Sequence, residues 1–375
     1  MNRKPKMLMA ALIAVSQSYA AKESIDTLKT YELQNVQVTS TRAGKHTPMA
    51  FSTLNKDQIK KINHGQDIPF LLSLTPSVTT TSDAGNGIGY TSLKVRGTDP
   101  SRINFTANGI PVNDAESSQV FFVNMSDFMS SVKDLQIQRG VGTSTNGSAA
   151  FGATVNMQTD APSLYPYLNF NASAGSYATH KESLRFGSGL LGNHWSFDGR
   201  LSNISSNGYI ERAASQLNSY FLQGAYTGDN TLVKLLTFNG IEKTYHAWDY
   251  ATKEQMEKYG RRYNPCGEYK DADGNTRYYD NQTDNYHQQN YQLIWNQLLG
   301  DRFNFNVALH YTAGFGYYEQ YMVGQKLAKY GLTTNLESDL IRRKNLRNDF
   351  FGGVYALNYK HNRLEASLGG AINHY

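Results

Sequence analysis

The chain has 375 residues, of which 36 are Lys or Arg, 31 are Asp or Glu and one is Cys. A single cysteine excludes a disulfide framework, and a small positive balance without clustered basic and aromatic residues excludes a nucleic-acid binder. Only 39% of residues are hydrophobic, with 32 glycines and 26 tyrosines; together with a mean hydropathy of -0.54 this favours strands and turns over helices.

Arg3, Lys4 and Lys6 precede the apolar run Met7 to Val15, and Ser18 and Ala20, flanking Tyr19, supply small residues after it. Residues 1–20 therefore read as a secretory signal peptide. Its removal takes three of the 36 basic residues and none of the 31 acidic ones, leaving 33 against 31, a net charge of +2. The run is too short to span a bilayer, and nothing later approaches the ~18 unbroken apolar residues of a membrane helix.

A polar lead follows, in which "LQNVQVTSTR", Leu33 to Arg42, is strand-prone but has no partner strand nearby. An extended segment of this kind suits addition to the exposed sheet edge of another protein. About four main-chain bonds, each worth roughly 0.5–1.5 kcal/mol net, fall short of the ~8 kcal/mol of a micromolar grip, so side chains must contribute.

Between Phe51 and about Asp160 the pattern is mixed. "NKDQIKKIN" predicts a helix with Ile59 and Ile62 three apart, and a second short apolar turn, Phe70 to Leu74, stops at Pro76. "SLKVRG", "INFTANGIPV", "VKDLQIQRG" and "TVNMQT" read as strands separated by Gly-rich polar runs. A small α/β domain of roughly 110 residues fits the usual domain size.

From Leu168 onward the period becomes two. Leu168 and Phe170 share one face and Asn169 and Asn171 the other; Trp195, Phe197 and Leu201 oppose Ser196, Asp198 and Arg200. Short links ("LLGNH", "TGDN", "LGDR", "KHNR") alternate with long ones (204–218, 243–285 and 316–348). A soluble sandwich gives no reason for that, whereas a transmembrane β-barrel has tight turns at one rim and long loops at the other. About nine strands are expected, ending within a strand at Tyr375. Single-chain barrels have even strand numbers, and an open edge is untenable in lipid, so the expectation is an N-terminal fragment.

"LLSLTPSV", "LKVRGTDPSR", "NGIPVND" and "VKDLQIQRGVGTSTNGSAAFGATVNMQT", in this order, resemble the plug domain of TonB-dependent outer-membrane receptors. The likeness covers residues 33 to about 160. "GIEKTYHAW" and "HYTAGFGYYEQY" are similar to iron-complex receptors of that family. Asn108, where the family usually has Asp, and Thr145-Asn146-Gly147, where it has Tyr-Gly, are departures in detail.

The resemblance implies an N-terminal α/β plug domain (46–162) followed by an antiparallel transmembrane β-barrel (163–375), with about nine of an expected 22 strands. It implies a TonB box in segment 21–45, with Leu33, Val36, Gln37, Val38 and Thr39 binding TonB and its inner-membrane energising complex. Arg96, Arg102 and Arg139 are implied plug–barrel contacts. Ligand would meet the plug's upper loops at Tyr90, Glu116, Gln119 and Phe121, with Tyr245 and Trp248 from the long loop; aromatics combine apolar area with a polar handle. The first expected cargo is a ferric siderophore or other iron complex, followed by cobalamin, haem or oligosaccharide. A passive porin or adhesin barrel without TonB coupling is the alternative of another class. No catalytic, zinc or nucleotide motif occurs, "DADGN" reads as a surface turn rather than a calcium loop, and no cofactor or resident metal is expected.

Overall fold

The computed structural model describes residues 42–43, 49–141 and 150–375. Leu33–Thr39 and the leader lie outside these residues. Two bodies follow one another in the chain: an N-terminal α/β domain and a long antiparallel sheet that wraps it.

The N-terminal domain carries a five-stranded sheet in the order β1-β6-β7-β4-β5. Its strands are β1 (Ala50–Asn55), β4 (Ile103–Ala107), β5 (Ile110–Pro111), β6 (Val132–Arg139) and β7 (Ala153–Thr159), while β2 (Val78–Ser82) and β3 (Thr91–Val95) form a separate hairpin. Only β4 and β7 run parallel; the other pairs are antiparallel. Helix α1 (Lys56–Ile62) starts with a capping box in which Asn55 and Gln58 exchange side-chain bonds to each other's backbone N–H. It buries Ile59 as the sequence spacing expects. The predicted apolar turn is helix α2 (Ile68–Leu71), with Pro69 in its first turn, where a missing N–H costs nothing.

Strands β1 and β2 were not legible. β1 lies at the sheet edge with a mostly half-exposed pattern, and the five residues of β2 alternate between half-buried and exposed. Ahead of β1 a clip fastens the chain to the same sheet. Arg42 pairs with Asp134, and Ala43 exchanges hydrogen bonds with the Gln136 side chain, N–H to Oε1 at 2.9 Å and Nε2 to O at 3.1 Å.

The second body is a nine-stranded meander, with β8 and β18 as its outer strands. It comprises β8 (Pro166–Gly175), β9 (Thr179–Ser188), β10 (Trp195–Ser206), β11 (Ser215–Thr227), β12 (Thr231–Tyr245), β15 (Thr283–Leu299), β16 (Phe303–Lys326), β17 (Glu337–His361) and β18 (Leu364–His374). The long insertion between β12 and β15 holds α3 (Lys253–Tyr259) and a small hairpin, β13 (Glu268–Lys270) with β14 (Thr276–Tyr278).

Burial in this sheet is inverted relative to a soluble globule. Leu168, Leu235 and Trp295 face outward at 63, 60 and 42% exposure, while Arg200 and Asn296 face inward at 1 and 0%. An apolar outer face and polar inner face are the pattern of a transmembrane barrel wall. Among the described residues no helix is long and apolar enough to cross a membrane.

The expected long loop at 316–348 is instead mostly strand. β16 and β17 stay paired up to Lys326 and Glu337. At 25 residues, β17 extends for about 80 Å, whereas a tilted strand of ~9–11 residues suffices to cross a bilayer. Its upper half, "ESDLIRRKNLR", shows no period-two apolar signal, because a two-stranded ribbon in water has no lipid to face.

The N-terminal domain does not own its core alone. Leu72, Ile103, Leu135, Ile137 and Val155 join one buried cluster with Phe221, Leu236, Phe238, Ile294 and Ala308 of the wall. Phe128 and Phe238 meet with ring centroids 4.8 Å apart.

Candidate functional site

Polar contacts between the two bodies centre on Asp127, a residue in the left-handed region at φ 52°. Lys181 Nζ lies 2.5 Å from Oδ1 and Arg200 Nη1 3.9 Å from Oδ2. Ser130 donates to Oδ1 at 2.5 Å and Ser202 to Oδ2 at 2.8 Å. Burial by itself would raise this carboxyl, but Arg200 and Lys181 outweigh burial and hold it at about 2. A second acid, Asp160, accepts from Lys56 at 2.7 Å and Arg185 at 2.6 Å.

Between these contacts plug main chain presses against the inner face of the wall. The β11–β12 ladder steps from Asn218↔Ile241 to Phe221↔Phe238. In the gap, Ser219 Oγ donates to Ser126 O at 2.8 Å, and Gly240 lies so close to Asn124 that a Cβ there would sit 2.3 Å from the Asn124 carbonyl oxygen.

Above this seam lies a cavity of about 700 Å³. Its floor is the loop from Pro111 to Met125, its sides are β12, β15, β16 and β17, and Trp248 enters from the insertion. The floor loop is shaped by its own polar groups: Asn113 accepts from Phe105 N–H and donates to Ser118 O, and Asp114 accepts from Ser117 N–H. Tyr90 reaches across to the wall, donating to Asp284 Oδ2 at 2.5 Å with Glu242 Oε1 at 3.4 Å. Burial, with Glu242 and Asp284 beside it, pushes the Tyr90 hydroxyl well above its ordinary value. His246 stacks on Trp248 at 3.8 Å between centroids, and burial lowers its imidazole to about 4.

Residues 43–154 match the family model described as TonB-dependent Receptor Plug Domain. The N-terminal domain is a TonB-dependent receptor plug. No curated protein matches the chain. Among solved structures, the siderophore receptor PirA from Acinetobacter baumannii is similar with a TM-score of 0.60 and 13% identity, over 90% of this chain and 48% of that one. The open form of the ferric-catecholate import receptor Fiu from E. coli K12 gives 0.64 and 12%, over 87% and 49%. The unliganded ferric citrate transporter FecA gives 0.63 and 14%, over 87% and 47%. The chain thus spans about half the length of these structures, whose likeness carries the fold: a plug followed by antiparallel barrel strands.

Tyr90, Glu116, Phe121 and Trp248 line the cavity above the plug. Gln119 does not; its carbonyl accepts from Asp114 N–H at 2.8 Å and so shapes the floor loop. Tyr245 turns away and donates to Tyr279 O at 2.9 Å and Cys266 O at 3.3 Å, fastening the insertion. The three arginines sit elsewhere in the plug. Arg139 donates to Ser52 Oγ at 2.9 Å, and the Arg102 carbonyl accepts from Gly152 N–H. Arg96 Nη1 lies 3.3 Å from where a Cβ would stand on Gly140, whose φ is +110°. Among the described residues, the ion pairs that join plug to wall are Asp127 with Lys181 and Arg200, and Asp160 with Arg185; none of the three arginines takes part.

Glu242, Asp284 and Tyr318 also line the cavity and escaped the sequence reading. Their inward phase was available from the alternation, since Glu242 follows Phe238 by four residues on one face of β12.

One plug carboxyl behind this floor gives a pH prediction. Asp67 is buried, accepts from Thr91 Oγ1 at 3.0 Å, and is raised by burial to about 8. Its unfolded value is about 3.9, so the folded state holds the extra proton between the two values and stability falls as pH rises from about 4 to 8. Asp67→Asn is expected to flatten that dependence, read as the thermal midpoint across the same range.

Proposed function

We propose that the chain is the plug and leading barrel strands of a TonB-dependent outer-membrane receptor that takes up a scarce ligand, with a ferric siderophore or other iron complex as its first cargo. Residues 1–20 act as the export signal, and Leu33, Val36, Gln37, Val38 and Thr39 form the TonB handle. The observation that carries this reading is the cavity over the plug, because plug loop and barrel wall both line it. A ligand seated there touches the element that must move and the element that stays. Arg96, Arg102 and Arg139 remain in this proposal as plug charges available to wall partners beyond the described strands.

The test deletes Val36–Thr39 in cells whose sole receptor is the full-length protein, and follows a panel of iron-55 complexes. Accumulation of the transported complex is expected to fall to background while its binding to cells is retained. Energy-dependent uptake that persists in the deletion overturns the coupled mechanism in favour of a passive barrel.

A further inference from the structure

The cavity floor has a chemistry that iron-complex binding as such does not require. Tyr90, Trp248 and Tyr318 stand around one corner, with Tyr90 and Trp248 edge-on at 6.1 Å and Trp248 and Tyr318 edge-on at 5.8 Å. Glu242 and Asp284 occupy the same corner, exposed by only 3 and 6%. Glu242 Oε2 accepts from Thr244 at 3.2 Å, and the single Tyr90 hydroxyl proton serves both acids. Among the described residues, Asp284 Oδ1 is buried with no hydrogen-bond partner. A carboxylate oxygen in this state wants a donor or a positive charge, and the faces of Tyr and Trp attract cations. The wall already shows the affinity: Lys344 Nζ lies over the Tyr318 ring, 5.4 Å from its centroid. Arg342 and Arg347 also line the cavity, with Arg342 donating to Gln320.

From the Tyr90–Trp248–Tyr318 corner and its two buried carboxylates, we infer that the ligand presents a cationic nitrogen, a quaternary or protonated amine, to the cavity floor. This rests on the cavity being the ligand site, and it narrows the cargo to molecules with a positively charged group that enters first. The anionic part of such a molecule is left facing Arg342 and Arg347.

The probe is tetramethylammonium chloride, exchanged against sodium chloride at constant ionic strength, with the full chain in non-ionic detergent and tryptophan emission as readout. Trp195 and Trp295 point outward from the wall, so Trp248 is the reporter within the cavity. A saturable change is expected, weakened at least tenfold in Glu242→Gln/Asp284→Asn and absent in Trp248→Phe. Calorimetric titration of Trp248→Leu, which leaves the acids in place, is expected to show a similar tenfold loss and covers the case in which the double variant does not fold. No saturable response, a response unchanged in the double variant, or tighter binding of citrate than of the ammonium probe overturns the inference. Uptake that still depends on Val36–Thr39 would then leave the transport reading standing by itself.

Discussion

Replacing Asp127 by alanine is expected to loosen the plug from its wall by about 3–5 kcal/mol, the cost of leaving buried charge without its partner. Lys181 and Arg200 are 6 and 1% exposed at the side chain, and Asp127 is fully buried between them. Truncation strands two cations at once. Such a pair is not worth that much in itself, because most of its Coulomb gain offsets desolvation. The triple variant Asp127→Leu/Lys181→Met/Arg200→Met is therefore expected to recover most of the loss, which a simple cavity effect at position 127 would not. The wild type adds a pH signature. With the folded carboxyl at about 2 and the unfolded one at about 3.9, the contribution of Asp127 is complete above about 4 and fades as pH falls toward 2. Thermal unfolding in detergent between pH 2 and 5 should show this slope in the wild type and lose it in Asp127→Asn.

The other large effect is expected at Gly240. A methyl group there would lie 2.3, 2.6 and 2.9 Å from the O, C and Cα of Asn124, and backbone held in a ladder on one side and a plug turn on the other has little room to give. Gly240→Ala is expected to cost about 1–3 kcal/mol through overpacking, and Gly240→Val more. Because Asn124 belongs to the loop that floors the cavity, ligand affinity should fall together with the thermal midpoint. Gly175→Ala is the control, since its Cβ would meet only Thr179 at 3.7 Å; it should stay within about 0.5 kcal/mol of wild type. If Gly240→Ala behaves like the control, the plug does not press on β12 as described.

Much of the wall was legible because two solvents write on it. Trp195, Phe197 and Leu201 must face lipid or detergent while Asp198 and Arg200 face the plug, so period two survives wherever both demands act. Where only water is present, as in the upper halves of β16 and β17, the signal vanishes and the sequence of these strands reads as loop. The site was legible in part. Tyr90, Glu116, Phe121 and Trp248, which line the cavity, came from the resemblance, which implies ligand contact at the plug's upper loops and the long loop. The Asp127 cluster did not, because alternation tells which way Lys181 and Arg200 point but not which plug residue, 54 or 73 positions earlier in the chain, stands opposite.

The clip at Arg42 and Ala43 has a mechanical consequence. Among the described residues, a load arriving from the N-terminal side meets the Arg42–Asp134 pair and the Gln136 bonds first. Beyond them lies β1, which among the described strands is a sheet edge paired with β6 alone. Traction would peel that edge rung by rung while Phe128 stayed moored to Phe238. Yielding is thus staged: the margin of the sheet gives way first, and the interior shared with the wall last.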